Sequence, residues 1–468
     1  MKKIIDKIKN IWNDKSKINT FEIVCLAVLL LACFLLFNHG DLLATSSHGR
    51  ALLDVTLKGK FFSFYDYTKS TAVYSIPIYI LFMIWSIPVE IVYKIFSIEL
   101  WNIFDFSKMG YITMLWYKLL PTIFMFMTGV VLFKIGKLLK MDESKIKWMI
   151  FVFLGFPILV FSQYIFGQYD SFNMFFTTLA LYFFLQKKYY KFSIMMAIAI
   201  PLKLFPIFIF IPLLLLVEKR VFHLAKYLLI GMSGYIISSL LFINSSGFTD
   251  ASKFSSDMSY RLFSASIPGG NGGISIFIAL FILVCVLCYI KKIKDDKEHI
   301  YYSLYVMLFV YSIFFMFILW HPQWVLLLVP IWILTMFEFN NIKASFILSI
   351  ALCMGYIFLT VTCFPNNVDV NLLNRGILPE IFDKVVNPNY SLSRLFGVLP
   401  GINQTAFMTL FGGCILGNLI LKFPTEKNLS AYKKGYEDKN YLPEKGYIFG
   451  LVAVILLFVL PALYLYFK

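Results

Sequence analysis

Four short polar stretches interrupt an otherwise apolar chain, and their residue types suggest chemistry before any fold is considered. Asn38-His39-Gly40-Asp41 follows directly on the first apolar run, and Gly167-Gln168-Tyr169-Asp170 separates the third from the fourth. Lys203-Leu204-Phe205-Pro206 separates the fifth from the sixth, and Trp320-His321-Pro322-Gln323-Trp324 the ninth from the tenth. Arg261 lies in Ser259-Tyr260-Arg261-Leu262-Phe263, Lys118 heads the second run, and His48 and Arg50 follow Asp41 in the first long loop. An ionisable side chain near membrane depth costs about 2.5–3.5 kcal/mol on insertion scales, so each is a functional candidate by default. External carboxylates (Asp41, Asp170) beside cations (Lys118, Lys203, Arg261) suit one kind of reaction. The cations bind a phosphate at the membrane surface, and a carboxylate takes the proton of an attacking hydroxyl.

The elements that must hold these residues follow from composition. Of 468 residues, 60% are hydrophobic and only 15% charged, which excludes a soluble domain. Fifty-one Phe, 28 Tyr and 8 Trp suit a bilayer and its interfaces. Thirteen apolar runs lie near 21–38, 113–133, 148–166, 171–186, 192–202, 204–217, 226–243, 272–290, 300–319, 323–337, 344–363, 402–421 and 447–467. The chain therefore reads as an all-α polytopic membrane protein of about 13 transmembrane helices, without repeats and without a soluble appendage.

Charge orients it. With 73–97 placed in the plane of the outer surface, the segments 1–20, 134–147, 187–191, 218–226, 291–299, 338–343 and 422–446 all fall inside, carrying 28 of the 42 basic residues. The N-terminus is then a cytoplasmic amphipathic lead-in rather than a cleaved signal, and the loops 39–112, 244–271 and 364–401 are external. Pro77 and Pro88 are expected to break 73–97 as a straight span. The net charge of +16 is assigned to topology, with no nucleic-acid partner. The seven cysteines all lie in apolar runs, and the Cys285/Cys288 pair reads as packing, not metal or redox chemistry.

Each candidate has a plainer alternative. Asp41 and Asp170 are both placed to cap a helix. Lys203 and Lys118 are long enough to snorkel to the interface, the better reading for Lys118. His321, flanked by Trp320 and Trp324, suits an interfacial anchor, and a loop arginine such as Arg261 is ordinarily solvated.

The order of these features resembles the GT-C superfamily of membrane glycosyltransferases, which includes protein O-mannosyltransferases and the aminoarabinose transferase of lipid A. The resemblance covers roughly 20–340. It rests on Asp41 after the first span, the following loop from Gly59-Lys60 through Tyr65 to Tyr74-Ser75-Ile76-Pro77, Gly167-Gln168-Tyr169-Asp170, Lys203-Leu204-Phe205-Pro206 and His321-Pro322-Gln323. It implies a GT-C fold with in-plane helices in the long first external loop. A catalytic module over 21–340 would be followed by a variable C-terminal part over 341–468. It further implies an inverting transfer of a sugar from a polyprenyl-phosphate carrier, the donor being a co-substrate, with no metal or other cofactor. The acceptor would be a cell-surface glycan, teichoic acid or lipid-linked glycan at the external face of the cell membrane. Asp41 would be the catalytic base, with Asp170, Lys203, Arg261, His321, Gln323, Lys118 and His48 binding substrate. No Asp-Asp or Asp-Glu pair follows the first span, a departure from some members that leaves Asp170 as a second candidate base. The rival readings are a lipid-linked glycan flippase or transporter, which usually shows repeats and midplane charges, and a polysaccharide polymerase or ligase.

Overall fold

Every one of the thirteen apolar runs forms helix, and the protein is nearly all-α. The computed structural model describes residues 6, 9–364, 368–399, 401–435 and 442–468, so parts of the segments 1–20, 364–401 and 422–446 lie outside the described residues. In chain order the longer helices are α1 (Thr20–Leu36), α2 (Gly40–Leu57), α3 (Ile76–Ile95), α4 (Tyr111–Leu138), α5 (Glu143–Leu154), α6 (Pro157–Ile165), α7 (Asp170–Leu185), α8 (Tyr189–Leu202) and α9 (Ile207–Val217). They continue as α10 (Val221–Leu240), α11 (Ser246–Asp257), α12 (Ile276–Ile290), α13 (Asp296–Phe317), α14 (Pro322–Glu338), α15 (Ile342–Cys363), α16 (Ile402–Leu421), α17 (Glu426–Lys434) and α18 (Gly446–Phe467). A two-stranded antiparallel hairpin, β1 (Ser266–Gly269) with β2 (Gly272–Ser275), precedes α12.

Among the described residues, seven helices are long and apolar enough to cross a membrane, and nine if each of two bent pairs counts as one span. This is fewer than thirteen. At about 1.5 Å per residue, the 16 residues of α7 and the apolar helices α8, α9, α12 and α14, 10–17 residues long, fall short of a bilayer core of about 30 Å. A polytopic membrane protein is what these helices describe.

The segment 73–97 corrects its proline argument. Residues 76–95 form one continuous helix, α3, that is long and apolar enough to span. Pro77 sits in its first turn, where the missing N–H has no intrahelical partner to lose, and Pro88 is accommodated inside. Helix α3 lies against α2 at Gly49, where an added Cβ would come within 2.3 Å of the Phe82 Cβ. Only glycine permits that crossing. The Trp85 and Trp116 rings, stacked 4.5 Å apart, then join α3 to α4.

The first span ends abruptly. Helices α1 and α2 meet at 71° across Phe37-Asn38-His39, so α2 leaves nearly sideways from the end of α1. Lys118 secures this corner from α4. Its amine is fully buried and donates to the carbonyls of Phe34 and Phe37, the last turn of α1. From the other side Gly376 touches the corner so closely that a Cβ would sit 1.8 Å from the Leu36 carbonyl oxygen, and the Asn38 amide donates to Leu372 at 3.0 Å.

The three long loops meet at this same end. Asp66, in the first, accepts from the Gly247 amide at 2.7 Å and from the hydroxyls of Ser245 and Ser246 at 3.0 and 3.1 Å, tying it to the start of α11. Those bonds, the Gly247 amide foremost, hold its carboxyl below the ordinary carboxylate range. Asp369 ties down the third loop, its Oδ1 accepting from the amides of Val370 and Leu392 at 2.7 and 2.8 Å.

Candidate active site

Asp41 stands in the first turn of α2, yet it is not the cap. His39 is the N-cap residue, its Nδ1 accepting from the Asp41 amide at 3.1 Å while its ring stacks on Phe166 with centroids 3.8 Å apart. The Asp41 carboxylate is thereby left for other partners. Its Oδ2 receives a hydrogen bond from Gln168 Nε2 at 3.3 Å, its Oδ1 lies 3.7 Å from His39 Nδ1, and the side chain remains 51% exposed.

The turn that delivers Gln168 is built from an irregular helix end. Residues Phe161–Ile165 widen into a π turn, closed by the Phe166 amide on the Phe161 carbonyl at 2.7 Å, a distortion often found beside functional sites. Gly167 then reverses the chain with a φ of +72°, a conformation that favours glycine. Asp170 opens α7 immediately after. Here too the capping alternative fails, because no side chain caps this helix and Asp170 turns instead to Lys203.

The Asp170–Lys203 pair is buried, with side chains 1% and 10% exposed. It comes from two adjacent helices and is locked by Asn173, one turn along α7 on the face of Asp170. The Asn173 amide donates to the carbonyls of Ala199 and Lys203 at 2.8 and 3.2 Å, satisfying the end of α8. Lys203 therefore does not snorkel outward. The second carboxylate oxygen, Asp170 Oδ2, is buried and has no hydrogen-bond partner among the described residues.

Trp324 gathers the cations. Lys203 Nζ lies 5.1 Å and the Arg261 guanidinium 5.3 Å from its ring centroid, and Phe205 packs on it at 4.7 Å. His321 meets the same indole edge-on at 5.1 Å. Arg261 is held there, rather than solvated, because Ser264 bonds to the Phe317 carbonyl and the Leu319 amide, and Ser275 to the Leu262 carbonyl. Burial, with Arg261 and Lys203 nearby, lowers the His321 pKa to about 4, so the imidazole is neutral at pH 7.

The charge of Asp41 acts on Tyr74, Tyr169, Asp170, His321 and Arg375, which places all of them around one mouth. Tyr74 and Tyr169 form its aromatic wall, their rings edge-to-face 5.5 Å apart. Gln323 lies in the first turns of α14, buried, with its Oε1 unpartnered among the described residues.

Of the eight residues read from the sequence, the structure thus brings Asp41, Asp170, Lys203, Arg261 and His321 together, with Gln323 beside them. Two fall elsewhere. Lys118 serves the α1–α2 corner beneath the site. His48 is packed between α2 and α3, its Nε2 3.0 Å from Thr71 Oγ1 and its ring against Tyr79. Arg375 was missed. It arrives from the third loop, where a Cβ on Gly40 would be 3.4 Å from its Nη1. Only the Arg375-Gly376 step, a cation beside a small residue in a long loop, could have flagged it.

The chain matches no protein-family model, and no curated protein matches it significantly. The site is therefore read from its own chemistry: the half-exposed Asp41 carboxylate with Arg375 close to it, and the Asp170-paired Lys203 and Arg261 gathered on the Trp324 ring beside His321. Among the described residues no three His, Cys, Asp or Glu side chains converge as metal ligands would.

Proposed function

We propose that this protein is a membrane glycosyltransferase of GT-C type. It takes a sugar from a polyprenyl-phosphate carrier and passes it to a hydroxyl of a cell-surface or lipid-linked glycan at the external face. The reading extends to about thirteen spans, one for each apolar run, with the short helices α7, α8, α9, α12 and α14 each counted as a crossing and α3 in the membrane plane. One observation carries it: a half-exposed carboxylate at the end of the first span, its capping duty taken by His39, lies close to Arg375 and His321, with Lys203 and Arg261 on the adjoining Trp324 ring.

In this reading Asp41 is the base of a single displacement. The acceptor hydroxyl loses its proton to the carboxylate as its oxygen bonds to the anomeric carbon, and the bond from that carbon to the carrier phosphate breaks. The phosphate leaves with a second negative charge, which Arg375, Arg261 and Lys203 stabilise more strongly than the donor's single charge. Neutral His321 and Gln323 offer hydrogen bonds to sugar hydroxyls, and Tyr74, Tyr169 and Trp324 offer apolar faces. Gln168 orients the Asp41 carboxylate, and Asp170 holds Lys203.

Comparison of surface-glycan composition in wild-type, deletion and Asp41→Asn cells tests this. The deletion and Asp41→Asn both lose the same sugar, while purified Asp41→Asn protein still binds undecaprenyl phosphate. Shortened but compositionally normal glycan would indicate a polymerase, and unchanged glycan in Asp41→Asn cells would overturn the assignment of the base.

A further inference from the structure

The end of the bundle remote from Asp41 carries a second constellation. Helix α14 starts at the site beside His321 and ends at Glu338; α15 runs back from Ile342 to Cys363, followed by Phe364, whose ring lies 5.7 Å from His321. Between their remote ends lies a cavity of about 1410 Å³. Six lysines line it: Lys140, Lys145, Lys297, Lys343, Lys427 and Lys434. Two of them are engaged, Lys343 with Glu444 at 2.8 Å and Lys297 with the Lys433 carbonyl; the lining carboxylates are Asp142 and Glu338, and Glu338 is buried and accepts from Tyr432 at 2.6 Å.

A basic loop near a membrane is ordinary, since positive residues orient the chain. Convergence is not. The six lysines come from four separate segments, and α17 supplies two of them, Lys427 and Lys434, seven residues apart and so on one face. Helix α17 is fixed in place by Lys433, which pairs with Asp295 and Glu298 at 2.6 and 2.8 Å, and by the Tyr432–Glu338 bond. The wall is thus pinned by residues that leave Lys427 and Lys434 facing the cavity. The first turn of α15 also opens here, following Asn341 in left-handed conformation (φ 68°), with no side chain capping it. Uncapped amides at a long helix start add partial positive charge to the lysines.

We propose that this cavity binds a phosphate-bearing anion larger than a single phosphate, independently of the site at Asp41. Clustered lysines are point-charge partners for phosphate, and basic pockets between membrane helices hold anionic headgroups. A volume above the roughly 300–1,000 Å³ of ordinary small-molecule sites has room for more than one phosphate. A membrane-lipid headgroup and a soluble diphosphate share this chemistry.

Thermal melting of the full-length protein in nanodiscs separates the two. One arm compares phosphatidylglycerol with phosphatidylcholine nanodiscs; the other titrates inorganic pyrophosphate into phosphatidylcholine nanodiscs. A rise in Tm with phosphatidylglycerol assigns a lipid headgroup, and a saturable rise with pyrophosphate assigns a soluble ligand. Lys140, Lys427 and Lys434 are exposed, so their replacement spares the fold. The triple variant Lys140→Gln/Lys427→Gln/Lys434→Gln weakens binding of the active probe at least tenfold. Lys188→Gln/Lys191→Gln/Lys226→Gln, which removes three exposed lysines outside the cavity, leaves it unchanged. No shift with either probe, or equal loss in both triple variants, overturns the proposal.

Discussion

Asp41 and Asp170 occupy matching places in the chain and opposite places in the molecule. Each sits in the first turn of its helix, Asp41 in the second half of one bent pair and Asp170 directly after the other. Asp41 is half exposed, with its capping duty taken by His39 and one side-chain donor, Gln168. Asp170 is 1% exposed and joined to Lys203. A carboxylate committed to a buried cation is a poor proton acceptor, since protonation would strand that cation. One open to the mouth is free to take a proton. Position in the sequence therefore does not separate the proposed base from the residue that holds Lys203; partners do.

The sharpest test of that contrast is to neutralise each carboxylate in turn. Asp41→Asn is expected to lower sugar transfer by about 10²–10⁴-fold, the range of general base catalysis, with folded yield unchanged by size-exclusion chromatography. Asp170→Asn is expected to act first on folded yield. If the two variants lose transfer equally at equal yield, the division of roles is wrong.

Breaking the buried pair from the other side comes next in size. Lys203→Met leaves Asp170 ionised without its cation, which costs about 3–5 kcal/mol when one partner of a buried pair is removed. A lower melting temperature in detergent would register it. The double variant Asp170→Asn/Lys203→Met is expected to recover much of that stability without recovering transfer. Recovery of both would reduce Lys203 to a purely structural residue.

Arg375 sharpens the other half of the comparison, because it comes to Gly40, next to Asp41, and is exposed rather than buried. Arg375→Met is expected to weaken undecaprenyl phosphate binding by roughly 10–100-fold, matching about 1.5–3 kcal/mol for a hydrogen bond to a charged group. Folded yield should hold. Unaltered binding, measured by microscale thermophoresis, would remove Arg375 from the carrier site.

The smallest effect concerns the loop that brings Arg375. Burial raises the Asp369 carboxyl to about 6, its amide partners on Val370 and Leu392 only partly offsetting this. A raised acid pKa means that the folded state binds the proton more tightly than the unfolded chain. Stability from this group is therefore greatest below the unfolded value near 4 and declines as pH rises through about 6. Asp369→Asn is expected to flatten that slope between pH 5 and 7 in thermal melts, and a slope identical to wild type would exclude Asp369 as its source.

The helices were legible because each apolar run is long enough to require internal backbone pairing in lipid, whatever its neighbours do. The grouping of Asp41, Asp170, Lys203, Arg261 and His321 at one end was also legible. Alternating traverses bring every second connection to the same side, and residues quoted from such connections must share it. Other features depended on contacts between distant segments. His39, not Asp41, caps α2; Lys118 turns inward to the α1 carbonyls; α3 runs through Pro88; and Gly376 lets the third loop close on Leu36 and deliver Arg375. Local sequence set which helices exist and which residues stand at their ends. Which of those residues were paired, buried or left open to a substrate was decided only when segments hundreds of positions apart packed together, because a charge's role is set by the partners and water around it.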